Sequence, residues 1–293
     1  LVADLPTGDG RIAPGVAPDG TGAIVADPAA GRAFYVDAAT GDETDLGATD
    51  LAAAVSGGRW FTVDVASGRA ATGDRAGATS SADIAGLKDG DWGLRTIEVG
   101  ADRAVVLLRD TDADPANPDR SLVLVLDADT GELLDRLEPP DGVTYTAALP
   151  IGDDEVLVAD LGFGWSIIDA QGAVVHGPRV HGAGQEIAAV DREDGRYVTA
   201  DWNGDLHVVD PDDDRVVDLI GPASYAVDVA FADDDRLVSR HRDGSTYLWD
   251  IAARRLVGRL WRSTAFVSFG MEVDRAENDL VQATSEGIAR ISL

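Results

Sequence analysis

The stretch DDRLVSRHRDGSTYLWDIAARRLVGRL, residues 234–260, contains three apolar runs that are separated by two short polar turns. Within each run apolar and polar side chains alternate, which is typical of half-buried β-strands, and the Asp-Gly pair at 243–244 favours a tight hairpin turn. The run YAVDVAFA, residues 225–232, precedes this stretch and shows the same alternation. The segment therefore predicts four consecutive antiparallel strands, called strands a to d below.

The four-strand unit recurs along the chain. Its third strand ends in an aspartate, which returns at intervals of 42, 41 and 40 residues, at Asp127, Asp169, Asp210 and Asp250. Another 40 residues lead to Arg290, and Asp37 precedes Asp127 by 90 residues, which leaves room for two more units. A period of about 40 to 45 residues with several short strands is typical of a β-propeller. The sequence thus predicts an all-β fold, a seven-bladed β-propeller of four-stranded antiparallel blades, as one domain over residues 1–293.

Two blades depart from the common pattern. Strands c and d of the second blade must come from GRAATGDRAG and TSSADIAGL, residues 68–77 and 79–87, which are poor in β-branched side chains. The last unit supplies only three strands before the chain stops. We expect the N-terminal run LVADLP, Leu1–Pro6, to join the last blade and close the ring, because closure removes an exposed sheet edge.

The sixth unit resembles a WD-repeat, with Asp243-Gly244 at the turn and Trp249-Asp250 at the end of strand c. In other units the tryptophan is replaced, as in Val209-Asp210 and Ile168-Asp169, which is more similar to the looser bacterial propellers of the YVTN or quinoprotein-like type. The Gly-His pair of WD-repeats is absent from the sequence. The resemblance implies a propeller fold and a binding role without a reaction.

Composition excludes several classes of function. The net charge is −29, with 53 acidic against 24 basic residues, so we expect no binding to nucleic acid or anionic lipid. No apolar run is long enough to span a membrane, and the chain has no cysteine for disulfides or thiolate metal sites. Because the chain starts at Leu1 and its single methionine is Met271, we expect a natural N-terminal segment upstream. The compartment stays open, with an extracytoplasmic location favoured, and we expect a monomer.

Strand b ends in an ionisable residue in six units. These residues are Asp27, Asp64, Asp110, Asp160, Asp201 and His241. They lie at the loops between strands b and c, which share one face of a propeller with the loops between strands d and a. Either each carboxylate binds backbone N–H groups of its own turn, or the set forms a cation-attracting ligand face. Trp165 and Trp202 fall near loops and are candidates for the same recognition surface.

The four histidines are confined to residues 176–241. The segment HGPRVHG, residues 176–182, is weakly similar to the His-Gly entry of periplasmic zinc-chaperone propellers. With the neighbouring groups it gives a candidate Zn²⁺ set of His176, His181, Asp201 and His241. The loop with Asp110, Asp112 and Asp114 opens like a Ca²⁺ loop, but Pro115 and Ser121 stand where such a loop needs glycine and glutamate.

Catalytic motifs are missing from the sequence. It has no G-x-S-x-G elbow, no phosphate-binding glycine loop and no H-E-x-x-H zinc motif. We therefore do not expect an enzyme or a bound cofactor; zinc and calcium are the metal ions that its residues could bind. The sequence favours a binding or scaffold propeller that recognises a protein, a peptide or a small solute at the channel mouth. The alternative is an extracytoplasmic metal-binding propeller similar to zinc chaperones.

Overall fold

The structure of the protein is a computed structural model with an all-β architecture. It describes residues 12–27, 29–85, 87, 92, 94–100, 102–110, 120–151, 154–160, 164–169, 171–180, 186–190, 195–200, 204–210, 215–222, 224–262, 271–284 and 287–293. These residues form 27 strands in seven separate sheets, and none of them belongs to an α-helix. Accordingly, no described segment is a helix long and apolar enough to cross a membrane.

Each of the first four blades contains four strands. Blade one contains β1 (Ile12–Val16), β2 (Gly22–Asp27), β3 (Arg32–Asp37) and β4 (Glu43–Gly47). Blade two contains β5 (Leu51–Val55), β6 (Arg59–Asp64), β7 (Arg69–Asp74) and β8 (Gly77–Asp83). Blade three contains β9 (Leu94–Val99), β10 (Arg103–Arg109), β11 (Ser121–Asp127) and β12 (Leu133–Leu137). Blade four contains β13 (Tyr145–Ile151), β14 (Glu155–Asp160), β15 (Gly164–Asp169) and β16 (Val174–Val180).

The remaining three blades follow the same order. Blade five contains β17 (Glu186–Val190), β18 (Tyr197–Ala200), β19 (Leu206–Asp210) and β20 (Arg215–Leu219). Blade six contains β21 (Ala226–Phe231), β22 (Arg236–His241), β23 (Ser245–Asp250) and β24 (Arg255–Arg262). Blade seven contains three described strands, β25 (Met271–Asp274), β26 (Asp279–Thr284) and β27 (Gly287–Ser292). All pairings within the blades are antiparallel between strands that are neighbours in sequence.

The blades are arranged in a closed ring around a central channel. The first strands of neighbouring blades contact one another in order, from β1 with β5 through β21 with β25, and β25 also contacts β1. Strand a is therefore the innermost strand of every blade and strand d the outermost. The prediction of a seven-bladed all-β propeller is confirmed.

The second blade forms the four strands that its sequence predicted only faintly. Strand β7 lies within the segment expected to supply strand c, and β8 starts at the last residue of that segment and continues into the one expected to supply strand d. Gly73 in β7 lies directly opposite Trp60 in β6, and a Cβ atom at Gly73 would stand 2.5 Å from the tryptophan ring. Glycine at this position leaves room for the large indole ring, which explains part of the unusual composition.

Apolar packing between neighbouring blades forms the core. One buried cluster lies at each of the seven blade interfaces. Between blades seven and one, Val281 and Ile288 pack with Val16 and Val25. Arg290 of β27 also donates a hydrogen bond to the backbone carbonyl of Asp19 in blade one. The first and last blades are thus held together by direct contacts, while the expected closing strand Leu1–Pro6 lies outside the described residues.

Aspartates at the ends of the third strands hold the turns that follow them. Asp127 Oδ1 accepts hydrogen bonds from the backbone N–H groups of Asp129 and Thr130, at 3.0 and 2.7 Å. Asp37 makes the same contacts with the turn after β3. Burial alone would raise the pKa of Asp127, but the hydrogen bonds from Thr130 and Asp129 outweigh it and lower the pKa. The repeated Asp is therefore a turn-forming residue, which accounts for its regular spacing.

Candidate functional site

The described residues that end strand b lie on one face of the ring. Asp27, Asp64 and Asp160 end β2, β6 and β14, and Asp110 follows β10. His241 ends β22 and lies beside Ser224, which is two residues before the innermost strand of the same blade. The loops between strands b and c therefore share this face with the connections between blades. Two predicted members of the set, Asp201 and Trp202, lie outside the described residues.

Three of these aspartates hold their own turns. Asp27 Oδ1 accepts a hydrogen bond from the N–H of Ala30 at 3.0 Å, and Asp64 Oδ1 accepts one from Ser67 at 3.2 Å. Asp160 Oδ1 accepts a hydrogen bond from the N–H of Gly164 at 3.2 Å. The contacts match the first of the two sequence interpretations, a local turn role. A shared ligand or cation role of this face stays a prediction.

His241 is buried in a hydrogen-bond chain within blade six. Its side chain is 1% exposed, and Nε2 lies 2.8 Å from the hydroxyl of Ser239. Nδ1 carries the ring proton and donates it to the backbone carbonyl of Ser224, because a carbonyl oxygen can only accept. In the neutral ring Nε2 is then an acceptor, so the Ser239 hydroxyl donates to it while accepting a hydrogen bond from Trp249 Nε1 at 2.7 Å. Burial lowers the pKa of His241, in agreement with a neutral ring that has one donor and one acceptor nitrogen.

The candidate zinc set is only partly described. Both ring nitrogens of His241 are engaged in the chain above, so zinc binding there would have to break one of those bonds. His176 lies on the outer strand β16 of blade four, opposite Ile167, and is half-buried. His181 and Asp201 lie outside the described residues, as do Asp112 and Asp114 of the possible calcium loop. Within the part of the chain that is described, no three His, Asp or Glu residues are grouped as metal ligands.

Trp165 lies inside the protein, not on the loop surface where sequence reasoning placed it as a candidate. It is 2% exposed, and its ring meets that of Tyr197 in blade five edge to face, with centroids 4.7 Å apart. A large ring near the start of strand c packs well against the facing sheet, because both surfaces there are apolar. Trp165 therefore contributes to the interface between blades four and five.

The structure brings together an ion pair that the sequence pattern did not single out. Asp228 on the innermost strand β21 lies directly opposite Arg240 on β22, and Arg240 Nη2 is 3.6 Å from Asp228 Oδ2. The Arg240 side chain is 8% exposed and that of Asp228 is 23% exposed. The Arg240 Nε atom is buried and finds no hydrogen-bond partner among the described residues. The one sequence signal was a charged residue within each of two apolar strands, YAVDVAFA and RLVSRH.

The pKa of Asp228 differs strongly from that of a solvent-exposed carboxylate. Burial raises the pKa of Asp228 to about 7, an effect that Arg240 opposes and Glu98 of blade three reinforces. The backbone N–H of Met271 in blade seven also hydrogen-bonds to Asp228. Because β21 is an innermost strand, the pair stands in the channel wall. It can offer a carboxyl group that both donates and accepts hydrogen bonds near neutral pH, next to a fixed positive charge.

Comparisons with known proteins identify the fold. No protein-family profile and no curated sequence matches the chain. Among solved structures, the WD40 β-propeller domain of Doa1 is similar with a TM-score of 0.67 and 14% identity, over 99% of this chain and 95% of that one. The computationally designed Ika8 protein is similar with a TM-score of 0.64 and 16% identity, over 100% and 99%. BamB from Moraxella catarrhalis is similar with a TM-score of 0.53 and 14% identity, over 94% and 83%.

The protein is a seven-bladed β-propeller with a fold like that of WD40 propellers. This fold is compatible with a binding or scaffold role. At these identities the likeness defines the fold alone, so the particular ligand has to be argued from the residues of this chain.

Proposed function

We propose that the protein is a non-enzymatic binding propeller that recognises a protein or peptide at the channel mouth on the face of the loops between strands b and c. The observation that supports the proposal most is the pair of Asp228 and Arg240 in the channel wall, close to that mouth. Concave sites with a few convergent polar groups and a perturbed pKa are the usual places for ligand recognition.

The neighbourhood of the pair supports a peptide ligand. Val227, the residue before Asp228 on the innermost strand, is 43% exposed and offers an apolar contact at the mouth. A carboxyl group, a guanidinium and an exposed apolar side chain together match the amide groups and mixed side chains of a peptide. A small polar solute would use the two charged groups but not Val227.

Blocking the mouth tests this proposal. The chain has no cysteine, so Val227→Cys can be labelled at a single site with a maleimide-linked polyethylene glycol. Peptides are first selected on the unmodified protein from a random phage-displayed library, and their affinities are measured by fluorescence polarisation. We expect the polymer at position 227 to weaken binding by about tenfold or more, because it fills the channel mouth.

Leu134→Cys is the matched control. Leu134 is 49% exposed on the outer strand β12, far from the channel, and takes the same label. Selected peptides should bind the control as tightly as the unmodified protein. Peptides that lose affinity equally in both labelled proteins, or in neither, would place the binding site elsewhere and overturn the proposal.

A further inference from the structure

The outer strand of blade six differs in charge from the rest of the molecule. Residues 254–262, RRLVGRLWR, contain four arginines and no acidic residue, although the whole chain has a net charge of −29. We call this segment, Arg254 together with β24, the basic edge. Among the other outer strands, β4, β8, β12 and β20 each contain at least one Asp or Glu, and β16 contains no acidic residue but only a single arginine. The basic edge is thus a local positive strip on a strongly acidic protein.

The basic edge also exposes apolar side chains. Leu256, Val257 and Trp261 are 37%, 48% and 39% exposed, which accounts for three of the eight large apolar residues exposed in the described chain. The Arg255 side chain is 64% exposed, and its Nη2 atom lies 3.9 Å from Asp250 Oδ2. A contact of this length between exposed groups contributes little, so Arg255 stays available to another partner.

The backbone of β24 lies at the rim of its sheet. The strand order of blade six is β21, β22, β23 and β24, so β24 is outermost and pairs with β23 on one side. An outermost strand presents N–H and C=O groups that another extended segment can pair with. Two register shifts between β23 and β24 twist this rim. The twist disfavours long stacking of sheets but leaves room for a short added strand.

From these features we infer that the basic edge binds a short acidic segment of a partner protein, which adds to blade six as a fifth strand. The strand register places Arg255 and Trp261 on one face of β24, and Arg259 and Leu256 on the other. The segment would therefore present carboxylates and apolar side chains on both of its faces, so that its carboxylates pair with the two arginines and its apolar side chains cover Leu256 and Trp261. Charge complementarity defines the occupant, because a protein of net charge −29 repels an acidic chain over most of its surface, whereas the four arginines of the basic edge attract it.

A second copy of this chain fits the basic edge less well. Two molecules that each carry −29 repel one another at a distance, whereas a short peptide carries only a few charges. Two basic edges placed side by side would also bring arginines against arginines. A partner with an acidic extended segment and a modest total charge is therefore favoured.

Binding of a designed peptide tests the inference. The probe is a fluorescein-labelled peptide that repeats Glu-Glu-Val-Val, which as a strand places both residue types on each face, and its affinity is measured by fluorescence polarisation. We expect Arg255→Glu with Arg259→Glu to weaken binding by about tenfold or more, because both paired charges become repulsive. A matched control, Arg136→Glu with Arg215→Glu, changes the same number of exposed charges on β12 and β20 and should alter the affinity by less than about twofold.

Two further measurements distinguish strand addition from binding through charge alone and from self-association. A peptide with N-methylated backbone on the valines keeps its charges but loses backbone donors, and we expect it not to bind. Equal binding of the methylated peptide, absent binding of the parent peptide, or equal loss in both double variants would overturn the inference. It would also be overturned by sedimentation that shows a dimer lost in Arg255→Glu with Arg259→Glu, or by selective binding of phosphatidylserine vesicles in place of the peptide.

Discussion

Blades two and six form the same four-stranded antiparallel sheet from very different sequences. In blade six each strand is rich in large apolar or β-branched residues, whereas strands β7 and β8 of blade two consist mostly of Ala, Thr, Ser and Gly. The interiors differ as well: blade six buries a chain of polar contacts from Trp249 through Ser239 to His241. Blade two fits Trp60 against a glycine. Turn positions and neighbouring blades are therefore enough to specify a blade whose own strands have low β-propensity.

The two blades also build their turns differently. Blade two places glycine at positive φ at Gly57, Gly58, Gly68 and Gly77. Blade six uses Gly244 in the same way, but in its last turn Arg254 adopts a φ of 53°. A non-glycine residue in this region is strained by contact between its Cβ and the backbone. The difference suggests experiments in which one blade serves as the control for the other.

The largest expected effect follows from removing the indole ring of blade six. Trp249 is fully buried, and Trp249→Ala leaves a cavity and breaks the hydrogen bond to Ser239. We expect the free energy of unfolding to fall by about 4 kcal/mol, measured by chemical denaturation. Leu256→Ala on the exposed outer strand should cost less than about 1 kcal/mol. If both variants lost equally little, the polar chain would not be part of the stabilising core.

A pH dependence should distinguish the innermost strand of blade six from that of blade two. The pKa of Asp228 is raised from 3.8 to about 7, so the folded protein holds this proton more tightly than the unfolded chain. Its contribution to stability is therefore full below about pH 4 and is lost as the pH rises toward 7. The change in the free energy of unfolding over this pH range is on the order of a few kcal/mol, since each pKa unit corresponds to about 1.4 kcal/mol.

Asp228→Asn tests this dependence by removing the titrating group. The free energy of unfolding of the variant, relative to the native protein, should rise between about pH 4 and pH 7 and then stay constant. The innermost strand of blade two, LAAAV in β5, carries no ionisable side chain and therefore makes the free energy of unfolding no more dependent on pH. Parallel stability curves of the two proteins over this range would mean that Asp228 titrates normally.

A smaller effect is expected from adding one methyl group in blade two. In Gly73→Ala the new Cβ would stand 2.5 Å from the Trp60 ring and 2.3 Å from the Gly77 carbonyl oxygen. The resulting displacement should cost about 1 to 3 kcal/mol in thermal or chemical unfolding. Gly258→Ala is the counterpart in blade six, where no atom lies within 4 Å of the added methyl group, and should change stability by less than about 0.5 kcal/mol.

The smallest expected effect is a gain in stability. Arg254→Gly relieves the positive φ of the last turn in blade six, and we expect an increase of about 0.5 to 1 kcal/mol in the free energy of unfolding. The opposite change in blade two, Gly77→Ala at a φ of 122°, should lower stability. A loss of stability in Arg254→Gly would show that the arginine side chain contributes more than the strain costs.

The sequence predicted the number of blades and nearly every strand, because alternation and turn residues act locally. It also gave the turn role of Asp27, Asp64 and Asp160 as one of two alternatives, since a carboxylate near a turn can bond only the N–H groups within reach. It was less informative for Trp165 and His241, which were assigned to a ligand face and lie buried. Alternation shows that a side chain points to one side of its sheet, but both sides of a blade face another blade.

The architecture of this protein was thus determined by the sequence itself, through a repeat whose strands and turns form from neighbouring residues. The tertiary structure alone decided which side chains meet across the sheets and blades. It brought Asp228 near Glu98, Trp165 against Tyr197 and Arg290 against Asp19, pairs that are far apart in sequence. Periodicity cannot specify such partners, because they depend on how seven sheets pack around one channel. The candidate site in that channel therefore became visible only in the folded ring.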